Sequence, residues 1–94
     1  MSRKAYSTDI TDAEWELLQS LIPPIKTGGR PRTVDMREII NAILYIQNSG
    51  CSWRLLPHDL PPWPTVYHYF RTWRRSGVWK NMNQALKRRK NKIL

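Results

Sequence analysis

The chain has 94 residues, with 16 Lys plus Arg against 7 Asp plus Glu for a net charge of +9, five Trp and a single Cys. That length fits one domain and not two, and an apolar content of 40% with five indoles supplies a small core, which excludes disorder throughout. Cys51 has no partner for an intrachain disulfide and no His and Cys spacing offers a second pair of metal ligands, so a secreted disulfide scaffold and structural zinc drop out and no cofactor is expected. The start, Ser2-Arg3-Lys4-Ala5-Tyr6-Ser7, leads into charged residues, and the longest greasy stretch, Ile39 to Ile46, is broken by Asn41. Neither resembles a leader or a membrane span, and the expectation is a soluble cytoplasmic protein.

In chain order, residues 1–10 are expected to be a flexible lead, 11–86 the domain and 87–94 a basic tail. Thr11 followed by Glu14 is a capping-box pattern. Ala13, Trp15, Leu17, Leu18, Leu21 and Ile22 then make an apolar helix over about 12–22, which Pro23-Pro24 must stop. Ile25-Lys26-Thr27-Gly28-Gly29-Arg30-Pro31-Arg32 has the composition of an extended linker. Asp35 with Glu38 repeats the cap logic. Met36, Ile39, Ile40, Ile43 and Gln47 share the face of a second helix, Leu44 and Ile46 lie at its edges, and it ends near Asn48 with Gly50 as a left-handed stop.

Ser52 can cap one turn, Trp53-Arg54-Leu55-Leu56, before Pro57. After the corner Pro57-His58-Asp59-Leu60-Pro61-Pro62, Pro64 suits the first turn of a helix that runs to Ser76 and is closed by Gly77. Val66, Tyr69, Phe70 and Trp73 fall on one of its faces. His68, Arg71, Thr72 and Arg75 fall on the other, with Tyr67 and Arg74 on the flank. A last helix, about Val78 to Lys90, spaces Trp79, Met82 and Leu86 along one stripe. The fold class is therefore all-α, a small helix-turn-helix-like bundle of four to five helices with a basic carboxy-terminal tail.

The placement of the charge carries functional information. Residues 1–59 hold seven cations and all seven acids, whereas residues 60–94 hold nine cations and no acid. An unopposed positive field on one end of a small domain suits a polyanion partner through counterion release and steering. A merely soluble basic tail would not account for Arg71, Arg74 and Arg75, which lie among aromatics well before Lys87-Arg88-Arg89-Lys90. The helix through Thr65 and Ser76 has an anchoring face and a face of long donors, as a major-groove reader needs. Its candidate DNA contacts are Thr65, Tyr67 and His68 near the start and Arg71, Thr72, Arg74 and Arg75 beyond. Arg30 and Arg32 form a weaker candidate arm for the minor groove, and a flexible interhelical linker that happens to be basic is the preferred reading of this stretch.

The tryptophans lie on apolar faces or at element boundaries, which favours packing over single-strand stacking. The acids are accounted for as caps, first-turn residues and loop residues instead of a converging Mg²⁺ site. His58, His68 and Cys51 lack partners for catalysis.

Several strings together carry a family resemblance: Ile10-Thr11-Asp12-Ala13-Glu14-Trp15, Gly29-Arg30-Pro31-Arg32, Arg37-Glu38-Ile39-Ile40-Asn41-Ala42-Ile43-Leu44-Tyr45, Gly50-Cys51-Ser52-Trp53-Arg54-Leu55-Leu56-Pro57 and Pro62-Trp63-Pro64-Thr65-Val66-Tyr67-His68-Tyr69-Phe70-Arg71-Thr72-Trp73. From about Ile10 to Leu86 the chain resembles the amino-terminal domain of bacterial insertion-sequence transposases of the DDE type. The resemblance implies a helix-turn-helix-like module that binds the element's terminal inverted repeats in double-stranded DNA, ahead of a separate RNase H-like domain with three Mg²⁺-binding carboxylates. It carries over Arg71, Thr72, Arg74 and Arg75, with Arg30 and Arg32 as the arm. It also implies that this chain, ending at Leu94, is not an enzyme on its own; joining to a catalytic segment by a translational frameshift, with that segment as a partner, and competition for the element ends are the two alternatives left open. Seven residues separate the third and fourth helices, against about three to four in a standard helix-turn-helix turn. A small transcriptional regulator and a nonspecific nucleic-acid-binding remnant are the alternative readings.

Overall fold

The computed structural model describes residues 3–23 and 35–92, with backbone only for 89–92. Among these residues the chain forms α1 (Asp12–Gln19), α2 (Met36–Ser49), a 3-10 turn (Trp53–Leu55), α3 (Trp63–Ser76) and α4 (Val78–Lys92), with no strand. α3 packs on both α2 and α4, and α1 lies against α2 and α4.

Local chemistry sets most of the boundaries. At α1 both halves of the capping box form: Thr11 Oγ1 accepts from the Glu14 N–H and Glu14 Oε1 accepts from the Thr11 N–H. α1 ends at Gln19, short of the expected Ile22. The Leu21 and Ile22 N–H groups reach back three residues, to Leu18 and Gln19, and the Ser20 hydroxyl bonds the Leu17 carbonyl. The helix therefore closes in a tight turn before the prolines are reached. Asp35 Oδ1 caps α2 by accepting from the Arg37 and Glu38 N–H groups. Gly50 and Gly77 end α2 and α3 in the left-handed region, at φ 72° and 86°, where a Cβ is disfavoured. Ser52 precedes the 3-10 turn but makes no side-chain cap bond, and α4 runs two residues past the expected Lys90.

The core joins Ile10 and Leu18 to Ile39, Ile40, Ala42, Ile43 and Ile46 of α2, Leu56 and Leu60 of the corner, Val66 and Trp73 of α3, and Trp79, Met82 and Leu86 of α4. On α1, Leu18 is buried whereas Leu17 and Ala13 are exposed. On α2 the buried face is rotated from the expected one, taking in Ile46 and leaving Gln47 in solvent, because α3 and α1 both pack on α2 and widen its covered stripe. The residues between the 3-10 turn and α3, 56–62, number seven as the sequence spacing requires, and Leu56 and Leu60 pin this corner to the core.

Residues 3–10, expected ahead of the domain, make contacts with it. Ile10 is buried, and its N–H donates to Oδ1 of Asn41 at 2.9 Å, while Asn41 Nδ2 donates to Glu38 Oε1 at 2.9 Å. Arg3 grips two carboxylates, with 2.7 and 2.9 Å bonds to Glu38 and bonds to Asp9 at 3.0 and 3.1 Å. Tyr6 stacks edge-on with Tyr45 and donates its hydroxyl to Asp59. Arg37 pairs with Asp12 at 2.7 Å and donates to the Ile10 carbonyl.

Asn41 is buried, at 3% exposure. Asn41→Ala orphans the Ile10 N–H, and denaturant unfolding should show a loss of about 1–3 kcal/mol. The Arg3 guanidinium is held above its ordinary range, first by its hydrogen bond to Glu38, against the opposing effect of burial, and then by Asp9. Burial pushes the Glu38 carboxyl up, but hydrogen bonds from Arg3 and Asn41 and the charges of Arg3 and Arg37 outweigh it, so the group sits below its ordinary 4.5. A carboxylate depressed on folding contributes stability that is full above pH 4.5 and is lost as pH falls through the lower folded value. Glu38→Gln should therefore flatten the acid limb of a stability-versus-pH curve below that point while lowering stability at pH 7.

Candidate nucleic-acid interface

α3 begins without a side-chain cap; Pro62 precedes it and Pro64 lies in its first turn, where a missing N–H costs nothing and a fixed φ helps. The Thr65 and Val66 N–H groups bond the Pro62 carbonyl at 3.0 and 3.2 Å. From that start the helical period sorts the side chains. Val66 and Trp73 are fully packed, and Tyr69 and Phe70 lean half-buried against the same core. His68, Arg71, Thr72 and Arg75 all face solvent, as do Tyr67 and Arg74 on the flank, while Thr65 is half-buried.

The structure brings Tyr67, Arg71, Arg74 and Arg75 together. With Phe70 they line an open cleft of about 340 Å³ along one side of α3. The Arg74 guanidinium lies 5.4 Å from the centroid of the Phe70 ring, a cation–π contact that restrains its long side chain. The Tyr67 ring is braced edge-on by Trp53 at 5.3 Å and Trp63 at 6.5 Å, and Phe70 meets Trp53 in a tilted contact at 5.4 Å and Trp79 edge-on at 6.0 Å. Trp53, the residue of the 3-10 turn that faces α3, thus supports the cleft from below. Sequence periodicity places it only at an element boundary, because its partners come from a helix more than ten residues on.

On the outer face Thr72 Oγ1 donates to the His68 carbonyl at 2.9 Å. Its hydroxyl proton is thereby used, and the side chain offers solvent a methyl group and acceptor lone pairs. His68 packs edge-on to Tyr69 at 5.6 Å. Residues 28–32, with Arg30 and Arg32 of the expected arm, lie outside the described residues.

The electrostatics divide along the chain. The ion pairs among the described residues, Arg3 with Asp9 and Glu38 and Arg37 with Asp12, all lie in the amino-terminal half. α3 and α4 contain no acid, and among the described residues the exposed Arg71, Arg74 and Arg75 are in none of the ion pairs. Among the described residues no group of three or more His, Cys, Asp or Glu could hold a metal ion, and no helix is long and apolar enough to cross a membrane.

Comparison with known proteins bears on this surface. The chain is 31% identical over 85 residues to the "Insertion element IS402 uncharacterized 16.2 kDa protein" of Burkholderia cepacia, covering 82% of this chain and 56% of that one. It is 29% identical over 79 residues to "Uncharacterized protein y4sN" of Sinorhizobium fredii (strain NBRC 101917 / NGR234), covering 84% and 63% respectively. The chain thus spans somewhat more than half the length of these relatives. No solved structure matches it. The family described as "Putative transposase of IS4/5 family" matches residues 10–83, from the buried Ile10 through α3 into α4, and the chain belongs to this IS4/5 transposase family.

Proposed function

We propose that this chain is the DNA-binding, amino-terminal part of an insertion-sequence transposase, and that it recognises the element's terminal inverted repeats by laying α3 in the major groove. The observation that carries this reading is the outward face of α3: Arg71, Thr72 and Arg75 exposed on a helix whose opposite face is locked into the core, with no acid on that helix or the next. Long guanidinium forks reach guanine O6 and N7, and the flank arginine Arg74 reaches phosphate. The 3-10 turn, the corner 56–62 and α3 then act as a helix-turn-helix variant with a longer turn. Thr65, Tyr67 and His68 complete the contacts at the amino-terminal end, and Arg30 and Arg32 would extend them into the minor groove.

In this reading the chain itself cuts no DNA. Its carboxylates serve elsewhere: Glu14 and Asp35 as caps, Asp9, Asp12 and Glu38 in ion pairs, Asp59 as the acceptor for Tyr6. Strand cleavage would come from a catalytic segment, joined to this part by frameshift, and the chain alone would compete for the same ends.

Binding of terminal-repeat and scrambled duplexes across a salt series tests the reading. The terminal repeat should be preferred at every salt concentration, and Arg71→Ala and Arg75→Ala should each reduce that preference by about 1–3 kcal/mol. Equal, steeply salt-dependent binding of both duplexes would overturn end recognition in favour of nonspecific backbone attraction. Both substitutions should leave unfolding stability within about 0.5 kcal/mol of the parent, because neither side chain is packed or paired.

A further inference from the structure

α4 carries a second basic surface. Its buried stripe is Trp79, Met82 and Leu86. Lys80, Asn83, Gln84 and Lys87 recur at i, i+3, i+4 and i+7 and so share a side of the helix. Together with Arg74 of α3 and Trp79 they line an open groove of about 440 Å³. Three of these groups are cations in solvent, two are amides able to donate, and none is an acid.

Trp79 is 5% exposed, and its indole nitrogen is buried with no hydrogen-bond acceptor among the described residues. Buried indole N–H groups ordinarily find one. The groove beside it is lined by ammonium, guanidinium and amide groups with no carboxylate, a composition that favours an anionic partner.

We infer that this α3–α4 groove is a phosphate-binding surface that takes the backbone of duplex DNA, apart from the outer face of α3. The inference rests on the reading of α3 as a DNA-contacting helix. Arg74 lines both the α3 cleft and this groove, and its stacking on Phe70 fixes the guanidinium at their boundary, which makes one continuous cationic track. Lys80 and Lys87 are about 10 Å apart along the helix at 1.5 Å per residue, far enough for each to meet a different phosphate of one strand. Ammonium groups on flexible stems act as point charges without geometric selectivity, so the groove contributes affinity and orientation and reads no bases.

The test compares the parent chain with the double variant Lys80→Gln, Lys87→Gln on terminal-repeat and scrambled duplexes over a salt series. Both lysines are exposed, so the variant should unfold at the parent's midpoint. The slope of log K against log salt should become shallower by about 2 on both duplexes, near 0.9 for each lost contact, with the ratio of the two affinities unchanged. In the parent, the Trp79 indole N–H resonance, identified by its loss in Trp79→Phe, should shift on addition of duplex. An unchanged slope, or an indole resonance unmoved at saturating duplex, overturns the groove. A preference for the terminal repeat that persists with an unchanged slope overturns the groove and leaves the α3 reading standing. A shallower slope in the variant without any parental preference does the reverse, and a parent that binds neither duplex overturns both.

Discussion

The arrangement depends on how α3 is anchored. Val66 and Trp73 must enter the core, with Tyr69 and Phe70 lying against it, and once those positions are inward the helical period leaves no choice about which residues face solvent. The anchor is shared: Trp73 of α3 and Trp79 and Met82 of α4 sit in one core with the isoleucines of α2, and Gly77 makes the reversal between α3 and α4 at a φ of 86°. Loss of a large indole from such a packed site costs about 3–5 kcal/mol, a large share of what holds a domain this small together. The basic face is thus rigidly presented because its opposite face is doing the folding.

Charge is divided by task. In the amino-terminal half nearly every acid has a structural use, capping a helix or pairing with Arg3 or Arg37. Arg3 is the clearest case: two bidentate contacts, to Asp9 and Glu38, tie the lead segment to α2 while Asn41 receives the Ile10 N–H beside them. The last acid is Asp59, and among the described residues the ion pairs involve Arg3 and Arg37 and none of the cations of α3 and α4. Cations that are paired within a fold contribute little outside it; cations left unpaired retain their field for an external anion. The chain belongs to the IS4/5 transposase family, matched over residues 10–83, and a polyanion as that external partner is the proposed reading.

Aromatic packing connects the two halves of the α3 surface. Trp53, Tyr67, Phe70 and Trp79 form a chain of ring contacts from the 3-10 turn to α4, and Arg74 rests on the Phe70 ring. This stiffens side chains that would otherwise lose more entropy on binding. The tryptophans are therefore structural in position while shaping the charged surface above them.

What the sequence by itself determined was local. Capping patterns at Thr11 and Asp35, glycines at 50 and 77 and the proline corner located the helices, because those signals act on the backbone within a few residues. The period of α3 separated Val66 and Trp73 from Arg71, Thr72 and Arg75, because apolar residues at helical spacing can hide on only one side. The fold alone decided the long-range pairings: Ile10 N–H on Asn41, Arg3 on Glu38 and Asp9, Tyr6 on Asp59, Trp53 under Tyr67 and Phe70, and Arg74 between two grooves. It also rotated the buried face of α2 toward Ile46 and left Leu17 in solvent. Such contacts join residues far apart in the chain, and their geometry depends on how helices cross, a quantity that no single helix's period contains.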